Sequence, residues 1–172
     1  MIVINLFGGP GAGKSTTAAG LFFMMKNAGM KVELVTEYAK DIVWAGRHKE
    51  LDDQLYIFAK QHHRLHNLIG KVEFVITDSP LLLSSVYGEF MPASFHMLVR
   101  DLFLKYDNRS VVIERVKPYA EYGRNQSEFE AREIDKRVNQ MIASTIPLNK
   151  THHVPGDVHA PIKIINWLKE TL

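Results

Sequence analysis

Cysteine is absent from the 172-residue sequence. Disulfide frameworks, thiolate zinc sites and cysteine nucleophiles are therefore excluded, and a reducing compartment suits the chain. A charge bias is also missing. The 21 Lys and Arg against 19 Asp and Glu leave a formal net charge of +2, too weak to attract nucleic acid by bulk electrostatics, so a polynucleotide would need a local basic groove. No stretch approaches the ~20 apolar residues of a membrane helix. The apolar start, Met1-Ile2-Val3-Ile4-Asn5-Leu6-Phe7, has no basic segment ahead of it and meets Gly8-Gly9-Pro10 too early for a secretory signal. A soluble, cytoplasmic protein with no membrane partner is expected. Repeats, linkers and low-complexity tracts are lacking too, and the length fits a single domain over residues 1–172. With 46% hydrophobic and 23% charged residues, the composition is that of a globular chain rather than a disordered or fibrous one.

What is present alternates between strand and helix patterns. Ile2 to Phe7 is a short apolar run ending in glycines, the pattern of a strand buried on both faces. Lys14 to Asn27 follows with Ala18, Leu21, Phe22 and Met25 at helical spacing and Gly29 at the C-terminal cap. Further strands are expected at Val32 to Thr36, Val72 to Thr77, Ser110 to Val116 and near His152 to Val154. Helices are expected at Glu37 to Ala45, Leu51 to Ile69, Ser94 to Tyr106, Glu128 to Ile146 and Pro161 to Leu172. The second of these carries Leu55, Phe58, Ala59, His62, Leu65 and Ile69 on one stripe, and the third turns Phe95, Leu98, Val99, Leu102 and Phe103 inward. Alternation of this kind implies a three-layer α/β/α sandwich around a five-stranded parallel sheet with right-handed crossovers.

Gly8-Gly9-Pro10-Gly11-Ala12-Gly13-Lys14-Ser15 fits the phosphate-loop pattern G-x-x-x-x-G-K-[ST] in every position, and Thr16 extends it. The strand before and the helix after supply the context the motif needs. Glycines let successive backbone N–H groups curl round an anion at a helix N-terminus. Lys14 would reach the β- and γ-phosphates and the Ser15 hydroxyl would ligate Mg²⁺. GTPases, motor ATPases and small-molecule kinases share this loop, so other residues must choose among them. The nearest approach to a guanine-reading Asn-Lys-x-Asp is Asn149-Lys150-Thr151-His152, in which His replaces the carboxylate. ATP is favoured over GTP. The third strand runs into Asp78-Ser79-Pro80 without the Glu that motor ATPases use to activate water, which favours transfer to a substrate.

In parallel sheets ligands bind beyond the carboxyl ends of the strands, so Glu37, Asp78 and Glu114-Arg115 should converge on the phosphate loop. Asp78 is the natural Mg²⁺ partner of Ser15, directly or through water; alternatively it caps the turn that follows. Glu37 is placed to accept the proton of an acceptor hydroxyl, or else to act as a helix N-terminal charge. The polar segment 117–128 reads as a lid that would bring arginine to the transferred group, Arg124 first and Arg132 next, with Arg137 equally able to pair with Glu133.

Together, the Gly8–Ser15 loop, Val35-Thr36-Glu37-Tyr38-Ala39-Lys40-Asp41, Gln54 and Gln61, Asp78-Ser79-Pro80 and Gly123-Arg124-Asn125-Gln126-Ser127 resemble small P-loop kinases. The branch is that of thymidylate kinase, deoxynucleoside kinases and nicotinamide riboside kinase, most closely its phage-encoded members, some of which are 5-hydroxymethyluracil DNA kinases. The resemblance covers most of residues 1–148 and implies a thymidylate-kinase-like fold with a lid. It further implies ATP and Mg²⁺ as cofactors, Glu37 as the catalytic carboxylate, and a nucleotide-class acceptor read by Gln61 and Arg64. Tyr38 and Trp44 would supply a stacking surface, although aromatics at such spacing also serve as core. The specific acceptor expected is 5-hydroxymethyluracil in phage DNA, with a free nucleotide, nucleoside or nicotinamide riboside as the alternative and a partner-coupled P-loop ATPase as the reading from another class. Asp78-Ser79-Pro80 stands where deoxynucleoside kinases carry Glu-Arg-Ser, a departure on the acceptor side. Arg47, His48, Lys49, Lys60, His62, His63 and Arg64 would line a DNA-admitting cleft, diluted by Glu50, Asp52 and Asp53. His62 and His66, one helical turn apart, have the spacing of a metal pair but no evident third ligand.

Overall fold

In the computed structural model, which describes residues 1–120 and 126–171, five strands form one sheet. They are β1 (Ile2–Phe7), β2 (Val32–Val35), β3 (Phe74–Thr77), β4 (Asp107–Glu114) and β5 (Thr151–Pro155). Their order is β2-β3-β1-β4-β5 and every pairing is parallel, with Ile4 of β1 opposite Ile76 of β3 and Arg109 of β4. β1 and β3 are apolar on successive residues because both of their faces are covered. On one face lie α1 (Lys14–Asn27) and α7 (Ala160–Thr171), which bury Ala18, Leu21 and Met25 with Ile164 and Leu168 against Ile4, Leu6, Ile76 and Ile113. On the other lie α3 (Gln54–His66), α4 (Leu83–Tyr87), α5 (Ala93–Leu104) and α6 (Glu128–Thr145), packed on Val3, Phe7, Val75 and Val112. The short α2 (Tyr38–Trp44) follows β2 directly. Each fully buried Leu, Ile or Val contributes about 1.5–3 kcal/mol, and two such layers dispense with covalent staples.

The sheet and its three layers match the expected architecture; β3 begins at Phe74 rather than Val72, β4 spans Asp107–Glu114 rather than Ser110 to Val116, and the larger differences lie in the helices. The long helix expected over Leu51 to Ile69 divides into a 3-10 turn, His48–Asp52, and α3, because the Asp53 side chain accepts from the Tyr56 amide (3.0 Å) and starts a new helix. Its buried stripe is Ile57, Phe58, Gln61 and Leu65, while Leu55, Ala59 and Ile69 are exposed. Phe58 and Leu65 are buried as expected, and the buried face is turned toward Ile57 and Gln61 instead of Leu55, Ala59 and Ile69. On α5 the inward residues are Phe95, Val99 and Phe103, four apart, whereas Leu98 faces solvent. The helix α4, right after Asp78-Ser79-Pro80, was not expected. α6 opens with a capping box in which the Ser127 amide donates to Glu130 (2.7 Å) and the Glu130 amide to the Ser127 hydroxyl (3.3 Å). Among the described residues no helix is long and apolar enough to cross a membrane.

Candidate active site

The carboxyl ends of β1, β2, β3 and β4 open onto one edge of the sheet, and the chain turns sharply there. Gly8, Gly11 and Gly13 have φ of +142°, +78° and +109°, backbone that side-chain-bearing residues rarely adopt. Gly13 is the N-cap of α1 and no side chain caps that terminus, so the first-turn amides are left for an anion. The loop is also held from the far end of the chain: a Cβ on Gly156, after β5, would lie 2.2 Å from the Ala12 carbonyl. Lys14 is buried, and its ammonium donates to the Gly9 carbonyl at 3.0 Å. Burial pulls its pKa down, against the opposing pull of Glu37 and Asp78.

Glu37 occupies the N-cap of α2 but makes no cap bond with its side chain. It is half-buried and lines the same cavity as Lys14 and Ser15. Burial raises its pKa above the ordinary carboxylate range, with Lys14 opposing and Asp78 reinforcing the rise. Asp78 is 4% exposed, and its Oδ1 has no hydrogen-bond partner among the described residues. The turn after β3 is capped instead by Thr77, whose hydroxyl accepts from the Ser79 amide at 3.1 Å. An orphaned buried carboxylate oxygen at this edge has the chemistry of a ligand for a hard cation.

From the phosphate loop the cavity, about 440 Å³, continues past Glu37 to a half-apolar chamber walled by Val43, Leu51, Ile57 and Leu83, with Lys40, Gln54, Ser84 and Tyr87 as its polar groups. Lys14 and Lys40 are the only cations among its described lining residues. Gln54 is among its lining residues, whereas Tyr38, Trp44, Gln61 and Arg64 do not line the cavity. Gln61 is 2% exposed; it accepts from the Tyr38 amide (2.9 Å) and donates to the Thr36 carbonyl (3.3 Å). Arg64 donates to the Thr36 carbonyl (3.1 Å), pairs with Asp41 and lies over the Tyr38 ring. The Tyr38 hydroxyl meets that of Tyr56 at 2.8 Å, and Trp44 is exposed. In this structure Gln61 and Arg64 hold the turn that delivers Glu37. Gln61→Ala should therefore cost about 1–3 kcal/mol of stability, read as a shifted denaturant midpoint; a residue that only read substrate would instead change KM at constant stability.

The expected arginines fare unequally. Arg124 lies outside the described residues. Arg132 is exposed, pairs with Glu128 (2.7 Å) and does not line the cavity. Arg137 pairs with Glu89 rather than Glu133, which is taken by Lys136. Arg47 is bound to both oxygens of Glu50 (2.9 and 2.8 Å), so two arginines of the expected basic cleft, Arg47 and Arg64, have acidic partners. Among the described residues the arginine that reaches the phosphate loop is Arg115, whose Nε donates to Asp135 (2.8 Å) and whose Nη2 donates to the Pro10 carbonyl (2.7 Å). Asp135 also accepts from the Gly9 amide at 2.7 Å. Only the position of Arg115 at a strand end hinted at this; nothing in the sequence marked Asp135. A second cavity of about 450 Å³ lies between β4, β5 and α6, beside Arg115 and Asp135. Among the described residues no three His, Asp or Glu gather as a metal cluster, and His62 packs on Phe58 with its pKa lowered by burial.

Solved structures share this architecture. NadR protein in complex with NR superposes with a TM-score of 0.70 at 18% identity, over 96% of this chain and 51% of that one, so the present chain spans about half of NadR. Deoxyadenosine kinase from M. mycoides with dCMP gives 0.60 at 17% identity over 99% and 100%. Thymidylate kinase from Ehrlichia chaffeensis gives 0.65 at 15% identity over 97% and 98%. These likenesses establish the fold, a five-stranded parallel P-loop architecture like that of thymidylate kinase. No curated protein matches the sequence. The AAA domain family model matches residues 3–159, nearly the whole chain, and the chain belongs to that family.

Proposed function

We propose that the protein is an ATP-dependent phosphotransferase that moves the γ-phosphoryl group to a hydroxyl of a nucleoside-class acceptor. The observation that carries this reading is the single cavity joining Lys14 and Ser15 to Glu37 and then to the half-apolar chamber. That chamber has room for an acceptor where a hydrolase would need only water. The Glu37 carboxylate takes the hydroxyl proton, the acceptor oxygen bonds to the γ-phosphorus, and the bond to the β-phosphate oxygen breaks to release ADP. Lys14 neutralises charge on the β- and γ-oxygens, and the α1 amides hold the rest. Asp78 and Ser15 are the residues that would hold Mg²⁺, which when bound supplies charge neutralisation at the phosphates. Asp78→Asn should raise the Mg²⁺ concentration giving half-maximal transfer by about 10–100-fold, measured by metal titration of initial rates; an unchanged requirement would remove Asp78 from the metal site.

For the acceptor, 5-hydroxymethyluracil in phage DNA is the specific proposal. Its support is a chamber of half-apolar walls with few cations, suited to an uncharged base bearing a hydroxymethyl group. DNA would have to present that base flipped out of the stack. Transfer of label from γ-labelled ATP to a panel of hydroxymethyluracil duplex, deoxynucleosides, their monophosphates and nicotinamide riboside tests it. Labelled DNA is the expected result, a labelled small molecule would replace DNA as acceptor, and label only in free phosphate would favour a partner-coupled ATPase.

A further inference from the structure

We propose that Arg115 is the arginine that contacts the terminal phosphoryl group during transfer, and that Asp135 on α6 is its positioning residue. The proposal rests on the reading that a nucleoside triphosphate occupies the phosphate loop.

The Arg115 side chain is 8% exposed, and two of its three nitrogens are fixed: Nε on Asp135 and Nη2 on the Pro10 carbonyl. The third, Nη1, is buried with no hydrogen-bond partner among the described residues. An ionised guanidinium nitrogen in that state is costly unless a ligand completes it. Its location says which ligand. A Cβ placed on Gly11 would lie 3.0 Å from the Tyr119 ring and 3.1 Å from Nη1, and the guanidinium lies over that ring, so this nitrogen abuts the loop backbone at Gly11 beside Tyr119. Gly11 and Pro10 line the cavity that also holds Glu37, while Arg115 itself lines the second cavity, on the β4 and α6 side of the loop. A terminal phosphoryl group at that end of the loop would face the cavity that holds Glu37 and have Nη1 behind the loop backbone. A planar guanidinium with two nitrogens pinned offers the third in a fixed direction, the pre-organised donor that stabilises charge developing on a transferred phosphoryl.

Asp135 supplies the second half. One carboxylate oxygen holds Arg115 and the other accepts from the Gly9 amide at 2.7 Å. A Cβ on Gly9 would lie 2.5 Å from that second oxygen and 2.8 Å from the Ala131 carbonyl, so the close approach of α6 requires a glycine at a position the motif leaves free. Arginine and loop are thereby set in register by one side chain.

Arg115→Met keeps the apolar stem, Arg115→Lys keeps the charge without the fork, and Asp135→Asn keeps the shape; melting temperatures check folding. Affinities for ATP and ADP are measured without acceptor, then turnover with it. Arg115→Met should weaken ATP about tenfold or more, leave ADP within about twofold, and lower turnover about 10²–10³-fold, with Arg115→Lys recovering part of the loss. Asp135→Asn should lower turnover at unchanged ADP affinity, and the double variant should be no slower than Arg115→Met alone. Equal weakening of ATP and ADP, or no weakening of either, would overturn the role of Arg115; additive losses would overturn that of Asp135. A wild-type protein that discriminates ATP from ADP through Arg115 but labels no hydroxyl would sink the acceptor reading and leave this inference standing. A wild type with no ATP affinity would end both.

Discussion

Glu37→Gln should lower the turnover of phosphoryl transfer by about 10²–10⁴-fold while ATP affinity stays nearly constant, because a base acts in the chemical step and not in nucleotide binding. The geometry supports this division: Glu37 lines the same cavity as Lys14, and its side chain is not spent on capping α2. Burial, only partly offset by Lys14, raises its pKa. The acid limb of the kcat/KM profile should therefore lie above the ordinary carboxylate range, with activity rising as Glu37 loses its proton, and Gln should abolish that limb. The same shift has a sign for stability. A carboxyl whose folded pKa exceeds its unfolded value holds its proton longer when folded, so stability falls as pH rises from the unfolded through the folded pKa. Glu37→Gln should melt above the wild type at pH 7 and no higher than it at pH 4. A collapse of ATP affinity in the variant would instead place Glu37 in the metal site or the scaffold.

Lys14→Ala should reduce transfer by about 10³-fold or more, beyond the 10²–10³ typical of one neutral donor, since the lost group is a full charge in a poorly solvated loop. The fold should survive. Lys14 heads α1 with its ammonium on a single carbonyl, and its lowered pKa shows that burial, not attraction, dominates its environment. Alanine is the best helix former and removes that unfavourable burial. The variant should melt at or above the wild-type temperature, while calorimetry shows ATP binding lost. Full activity in it would remove the phosphate-loop assignment.

Most of the scaffold was readable because its signals are local. Gly8 to Ser15 between an apolar run and a helical period leaves little freedom, and the β-strands betray their burial by continuous apolar runs, as in Phe74–Thr77. Helix faces were less legible. The stripe expected on α3 holds at Phe58 and Leu65 but misses Ile57 and Gln61 and includes the exposed Leu55 and Ile69, a rotation that packing of Phe58 on Phe95 decides. The acceptor side was least legible. Gln61 and Arg64 look like readers of a base when only their chemistry is known, yet both find partners on Thr36, 25 and 28 residues away. Asp135, 126 residues from Gly9, carries no local mark at all. Contacts across such separations are products of the strand order.

That order also bears on synthesis. The phosphate loop is made before every other part of the sheet's site edge, but the strand that leads into it is the middle one, flanked by β3 and β4 and braced through Gly156 beyond β5. Its lateral neighbours exist only after residue 114 has been made, and its brace only after residue 156. Long-range parallel pairing forms slowly, so while residues 16–156 are being made the nucleotide motif lacks the surroundings that give it its shape. The phosphate loop becomes competent only behind the strands that follow it, and ligand capture marks a sheet completed through β5.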